Sequence, residues 1–294
     1  MELRQLKYFL KAKELLNFTE AAAQMNISQS TLSQQIKQLE EELRQPLFNR
    51  IGKRIILTEA GSLFAGFAQQ SVKKANDGLQ LLNDLNDLSD GKISIGVTYA
   101  LRNVLAQAVI SFSQQYPKIK FQIVFGTSRE LIEKLNRFEL DFVLTFEDNG
   151  EGGHFNYKKL FTSPMTLVTA ADSDLKSKVS ITLEEIVKLS LALPSSGYNT
   201  TQFINEAFSK KNLKPVIGIE INDIPTLLEI VKTGRWHTIL TQTTVKKEPG
   251  LSAIPIEGKD MIRTAVIISI KEAYEKKSVT TFLEMLKQTG IYNL

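Results

Sequence analysis

Residues 18–43, FTEAAAQMNISQSTLSQQIKQLEEEL, constrain the fold more than any other stretch of this 294-residue chain. Ala21 and Ala22 are small enough for a following helix to cross closely, and Met25-Asn26-Ile27 spell a tight turn that buries its isoleucine. Ser28 is a good N-cap, and Ile36, Leu39 and Leu43 give the next helix an apolar stripe at three- and four-residue intervals. Leu3, Leu6, Phe9, Leu10, Leu15 and Leu16 mark a helix before this pair. Thr19, with Glu20 in the first turn, is expected to cap the short helix that runs through Met25, and Pro46 to stop the third. LFNRIGKRIILTEAG then reads as a hairpin with Gly52, Lys53 and Arg54 at its tip.

Two helices about a tight turn are a helix-turn-helix, whose second helix can enter a DNA major groove. Its groove-facing positions are Gln29, Ser30, Thr31, Ser33 and Gln34, with Lys37 one turn on. Glutamine can pair bidentately with adenine, and serine or threonine can bond base edges or phosphates. Lys53 and Arg54 on the hairpin tip would reach a flanking minor groove or phosphates. Residues 1–58 hold nine Lys or Arg against six acids, within a chain of net charge +4. That excess suits phosphate contact, and it also suits an ordinary solvated face. The order of three helices, basic wing and long helix favours DNA.

From Glu59 to about residue 88 there is no proline, and Ala65, Ala68, Val72, Ala75, Leu79 and Leu82 follow the spacing of a coiled-coil seam that wants a partner helix. Ser89-Asp90-Gly91 break that pattern. Strand-like runs (93–97, 121–125, 142–146, 167–170, 191–193, 217–221, 238–240 and 264–270) then alternate with helix-like ones (103–115, 128–138, 183–187, 201–211, 224–232 and 279–289), which predicts an α/β domain with a largely parallel sheet and enough chain for two lobes.

The segment FTEAAAQMNISQSTLSQQIKQLEEELRQPLFNR with KRIILTEAG resembles the LysR-type transcriptional regulators. IEINDIPTLLEIVKTG and FELDFVLTF extend the resemblance over the whole chain, and YFLKAKELLNFTEAA with RELIEKLNRFELDFVLTF looks more like the cyanate and sulfur-metabolism regulators than the aromatic-degradation group. The resemblance implies a winged helix-turn-helix over 1–58, a linker or dimerisation helix over 59–90, and an effector domain of two periplasmic-binding-protein-like lobes over 91–294. It also implies double-stranded DNA and a small-molecule effector as partners, with self-association as a dimer or tetramer. Matched to the family's cleft, the effector residues are Thr98, Tyr99 and Ala100 after the first strand, Thr127 and Ser128 before a helix, Phe146, and residues 196–201 with Ser196, Thr200 and Thr201. Thr98 and Ser128 at strand-to-helix turns suit an anion, although each hydroxyl could equally cap its helix; Arg102 and Arg129 could supply charge to it, although a solvated surface is the commoner place for such side chains.

The sequence departs from the family in three places. Ser28-Gln29-Ser30-Thr31 stands where Ser-Gln-Pro-Ala is frequent, Gln34 where Arg is common, and Gly234-Arg235-Trp236-His237-Thr238-Ile239-Leu240-Thr241 where Gly-x-Gly-Ile-Ala-Leu-Leu-Pro is usual. Trp236 could fill the cleft or pack at a lobe or subunit interface.

Cysteine is absent and histidine is limited to His154 and His237, so thiolate chemistry, disulfides and Cys-based zinc sites are excluded. No catalytic set, metal cluster or phosphate loop stands out, which points away from an enzyme and from any cofactor. Asn149-Gly150-Glu151-Gly152-Gly153 reads as a flexible turn. The N-terminus lacks a signal-peptide core and no apolar run could span a bilayer, so the expectation is a cytoplasmic protein without a membrane partner. A competing reading is a ligand-binding or enzymatic α/β protein whose winged helix serves protein contacts.

Overall fold

A computed structural model describes residues 1–51, 54–84, 91–147, 153–271 and 273–290. The chain divides into two compact units, Met1–Asp87 and Leu88–Leu294.

The first unit holds α1 (Leu3–Leu15), α2 (Phe18–Gln24), α3 (Gln29–Leu43), the antiparallel hairpin of β1 (Phe48–Ile51) and β2 (Arg54–Leu57), and α4 (Glu59–Asp84). Its core gathers Phe9, Leu32, Ile36, Leu39 and Leu47, with the Phe9 ring 5.5 Å from both Phe48 and Phe64. α3 ends at Leu43 because Arg44 turns left-handed, two residues ahead of Pro46. The Glu40 carboxylate then accepts the N–H groups of Leu47 and Phe48 at 2.7 and 3.0 Å, tying α3 to the start of the hairpin.

The seam on α4 is shared differently from the sequence expectation. Ala65, Ala68 and Val72 pack into the core of their own unit, while Leu79 and Leu82 stay 63% and 57% exposed. Small alanines let α4 lie close to α1, and the seam leaves Leu79 and Leu82 for another chain, on a helix that also exposes Leu63 and Phe67.

The second unit begins with β3 (Gly91–Val97), a 3-10 turn (Tyr99–Leu101), α5 (Arg102–Gln115), β4 (Ile119–Phe125), α6 (Ser128–Asn136), β5 (Phe142–Phe146) and the long strand β6 (Phe155–Ala170). It continues through α7 (Leu183–Ile186), β7 (Leu191–Pro194), α8 (Asn199–Lys210), β8 (Ile217–Ile221), α9 (Ile224–Lys232), β9 (Thr238–Thr241), α10 (Gln242–Val245) and β10 (Leu251–Pro255), and returns by β11 (Ile262–Ile270) to α11 (Lys277–Gly290).

Two lobes result. In lobe I the order is β4-β3-β5-β11-β6, with α5 and α11 packed on one face and α6 on the other. In lobe II the far half of β6 lies between β9 and β10, and β7 pairs with β8 and bridges from Leu191 to His237, the residue before β9. The sheet is mixed, which corrects the largely parallel expectation: β3/β4, β3/β5 and β7/β8 are parallel, whereas β11 and β6 run antiparallel to their partners. The cause is the double crossing. The chain leaves lobe I along β6 and re-enters it along β11, so these strands must oppose each other. β10 and the first part of β6 lie outside the strands read from sequence. Among the described residues no helix is long and apolar enough to cross a membrane.

Candidate functional site

Asn17 caps α2: its Oδ1 accepts from the N–H groups of Thr19 and Glu20 at 2.9 and 3.3 Å. This corrects the assignment of the cap to Thr19. Starting the helix earlier puts Phe18 in the core against Phe48, a burial that a start at Thr19 would forgo. Asn26 takes a left-handed φ of 55° in the turn, and Ile27 is half-buried beside Ala22, to which its N–H donates at 3.0 Å.

Ser28 caps α3, its Oγ accepting from the Thr31 N–H at 3.1 Å. With Leu32, Ile36 and Leu39 buried, the 100° helical step sets Ser30, Gln34 and Lys37 on the opposite face. Gln29, Ser30, Thr31, Gln34 and Lys37 are exposed and Ser33 is half-buried. Gln29 donates to Ser33 at 2.8 Å, a surface bond that water or a base edge can replace. Lys37 lies 3.6 Å from Glu41 with both side chains mostly exposed, a pair that holds its charge loosely. Lys53 falls outside the described residues, and Arg54 opens β2 as the Cα partner of Ile51.

A cavity of about 40 Å³ lies between the lobes of the second unit. One water needs roughly 10–15 Å³ on this measure, so there is room for a ligand of a few heavy atoms. Its walls come from the C-terminal ends of strands and the starts of helices, where an α/β sheet opens. Thr98, Tyr99, Ala100, Thr127, Ser128, Thr145 and Phe146 belong to lobe I, and Pro194, Tyr198, Asn199, Thr200, Ile224, Leu240 and Thr244 to lobe II.

The hydroxyls of Thr98 and Ser128 are not spent on capping. Thr127 caps α6 in a reciprocal pair with Glu130, which leaves Ser128 in the first turn, 3% exposed and aimed elsewhere. Thr98 makes no side-chain cap bond. Asn199 Nδ2 donates to Ser128 Oγ at 2.7 Å, and Ser128 lies 2.5 Å from Thr145 Oγ1, so one polar chain crosses from lobe II to lobe I. Arg263, 4% exposed on β11, donates to the carbonyls of Asn199 at 3.2 Å and Glu147 at 2.7 Å, with its guanidinium 4.7 Å from the Phe203 ring.

No residue lining the cavity carries a formal charge at neutral pH. Burial raises the pKa of both Tyr99 and Tyr198, keeping their phenols protonated. Hydrogen bonds from the Thr127 backbone and hydroxyl lower that of Glu130 and hold its carboxylate charged at the rim. The N-terminal turns of α6 and α8 meet here, and their first N–H groups have no acceptor within their helices.

Seven of the residues read from sequence thus meet at the cavity: Thr98, Tyr99, Ala100, Thr127, Ser128, Phe146 and Thr200. Three do not. Arg102 pairs with Glu248, Ser196 sits exposed in the turn before α8, and Thr201 is buried with its hydroxyl on the Pro194 carbonyl at 2.7 Å. Arg129 is a surface residue 3.4 Å from Glu133. Trp236 stays off the cavity wall and covers Gly218 on β8, where an added Cβ would fall 2.4 Å from the ring. Sequence reasoning missed Thr145, Pro194, Ile224, Leu240 and Thr244, and did not single out Tyr198 and Asn199 within residues 196–201. His154 is exposed and bonds Asn136 at 2.6 Å, while residues 149–152 of the glycine-rich turn lie outside the described residues. Among the described residues no cluster of side chains could hold a metal ion.

A family model described as a bacterial regulatory helix-turn-helix protein of the lysR family matches residues 3–62, and one described as a LysR substrate binding domain matches residues 86–290. The chain is 30% identical over 283 residues to the uncharacterized HTH-type transcriptional regulator YybE of Bacillus subtilis, covering 96% of this chain and 97% of that one. Among solved structures it is similar to full-length OxyR from Pseudomonas aeruginosa, with TM-score 0.81, 22% identity and coverage of 99% and 96%. It is also similar to full-length CbnR complexed with its target DNA, with TM-score 0.58, 20% identity and coverage of 99% and 100%.

Proposed function

Because this chain belongs to the LysR family of transcriptional regulators, and so binds double-stranded DNA and a small-molecule effector rather than acting as an enzyme, we propose which residues do each task. α3 enters the major groove with Gln29, Ser30, Thr31, Ser33 and Gln34 at base edges or phosphates and Lys37 on the backbone, while Lys53 and Arg54 contact the flank. The observation that carries this is the polar face of α3, turned away from buried Leu32, Ile36 and Leu39 and holding one loosely paired cation. Residues 1–58 form the DNA-binding part, 59–90 the helix that pairs with another copy, and 91–294 the effector part, at work in the cytoplasm where the chromosome lies.

The effector sits in the cavity between the lobes. It is small, and an anion suits the site: two helix N-termini offer partial positive charge, and Ser128, Asn199, Thr98 and Thr200 offer neutral donors. Arg102 is not part of this site, being occupied by Glu248.

Selection from a random duplex pool at two salt concentrations tests the reading. We expect a dyad-symmetric motif with half-sites about one helical turn apart, and weaker binding at the higher salt. Gln34→Ala should cost about 1–3 kcal/mol and relax the preference at one base pair, whereas Lys37→Ala should weaken all sequences alike. Retention with no enriched motif would sink the assignment.

A further inference from the structure

We propose that Arg102 is a latch between the two lobes and sets how far the effector cavity opens. It stands first in α5, where a positive charge opposes the helix dipole, so nothing local to its own helix favours it. Its partners lie around it and across the cleft. The guanidinium carbon is 4.1 Å from the centre of the Tyr99 ring, Nη1 donates to the Thr244 carbonyl at 3.0 Å, and Nη2 pairs with Glu248.

Tyr99 and Arg102 belong to lobe I, and Thr244 and Glu248 to lobe II. Tyr99 and Thr244 both line the cavity, so one side chain fixes the spacing of opposite walls. The paired side chains are 18% and 20% exposed, against 88% and 53% for Arg129 and Glu133, so solvent screens the Arg102–Glu248 pair far less. A planar guanidinium can stack and donate in two directions at once, which a lysine ammonium cannot.

Arg263, a second cation that ties the lobes, sits on β11, itself a crossover strand. Arg102 stands off the crossovers, so its release lets Tyr99 and Thr244 part while β6 and β11 stay paired. Lys232, whose pKa is raised chiefly by its bond to Glu229 and also by Glu248, cannot replace it. Lys232 is on α9 in the same lobe as Glu248, and its ion pair with Glu229 stays within that lobe.

The test is hydrogen exchange of the full-length protein over residues 98–105 and 242–250, followed in Arg102→Met, Glu248→Gln and the double variant. Leu101 and Glu248 report each side, their N–H groups bonding Thr98 at 3.0 Å and Val245 at 2.9 Å. Each single change should speed exchange about tenfold in both segments, with β3, β5 and β9 unaltered. The cross-lobe response is what a locally structural residue would not give: Glu248→Gln must loosen residues 98–105. The double variant should exchange no faster than the faster single, and Arg102→Lys should fall between Arg102→Met and the parent. Glu248→Gln is nearly isosteric and keeps the test available if Arg102→Met does not fold. Effects confined to each variant's own segment, additive effects in the double, or parental exchange throughout would overturn the latch. This outcome depends on neither the operator nor the effector's identity.

Discussion

Ser128 is a residue on which both sides of the cavity rely. Its hydroxyl takes the Asn199 amide from lobe II and meets Thr145 from lobe I, so Ser128→Ala leaves two polar groups without their partner. We expect a loss of about 1–3 kcal/mol, read as a lower urea midpoint, with the first unit unaffected. His237 gives a pH dependence. Burial lowers its pKa below 6.5 and its Nδ1 has no partner, so the folded state prefers the neutral ring. The unfolded chain binds the proton first as pH falls. The contribution is therefore intact above pH 6.5 and is lost progressively below it. The urea midpoint should drop between about pH 7.5 and about 5.5, and His237→Gln should shrink that difference.

At the scale of elements, the docking of α4 depends on one missing methyl. A Cβ on Gly61 would fall 2.2 Å from the Leu47 carbonyl oxygen, which accepts the Thr58 N–H at 3.0 Å. Gly61→Ala should cost the first unit about 1–3 kcal/mol in urea unfolding and weaken operator binding with it. Elements whose burial repeats along the sequence were legible: α3 from its Ile36-Leu39-Leu43 stripe, and α9, β8 and β5 to the residue. The first part of β6 was not, and the reason is physical. Leu160 is an extra residue between the Lys159–Val266 and Phe161–Ala265 pairs, so Phe155 and Tyr157 face one core and Leu160 and Phe161 the other. A bulge of this kind erases the two-residue alternation that marks a strand. The site divides in the same way. Thr98, Thr127 and Ser128 sit at strand-to-helix turns that sequence marks, whereas Thr145 points inward from mid-strand and Leu240 and Thr244 arrive from the other lobe. Arg102 looked like a ligand for an anion because its charge was visible and Glu248, 146 residues away, was not.

Across the whole molecule, self-association falls to what α4 leaves uncovered. Leu79→Glu with Leu82→Glu should dissociate the protein to monomers in sedimentation velocity, while the same change at buried Ala68 should unfold the first unit instead. The effector unit moves under another constraint. β6 is one strand, bulged at Leu160, that pairs with β11 up to Pro164 and with β9 from Met165 onward, so a single backbone rod is clamped in two sheets. Such a rod resists bending, because bending would break ladder bonds on both sides, but it yields to twist, the deformation that strands already carry. Lobe motion is then the turning of a torsion bar gripped at both ends. A bound effector would wind this body about one axis, and a small angle at Pro164 would reappear as a large arc at the rim.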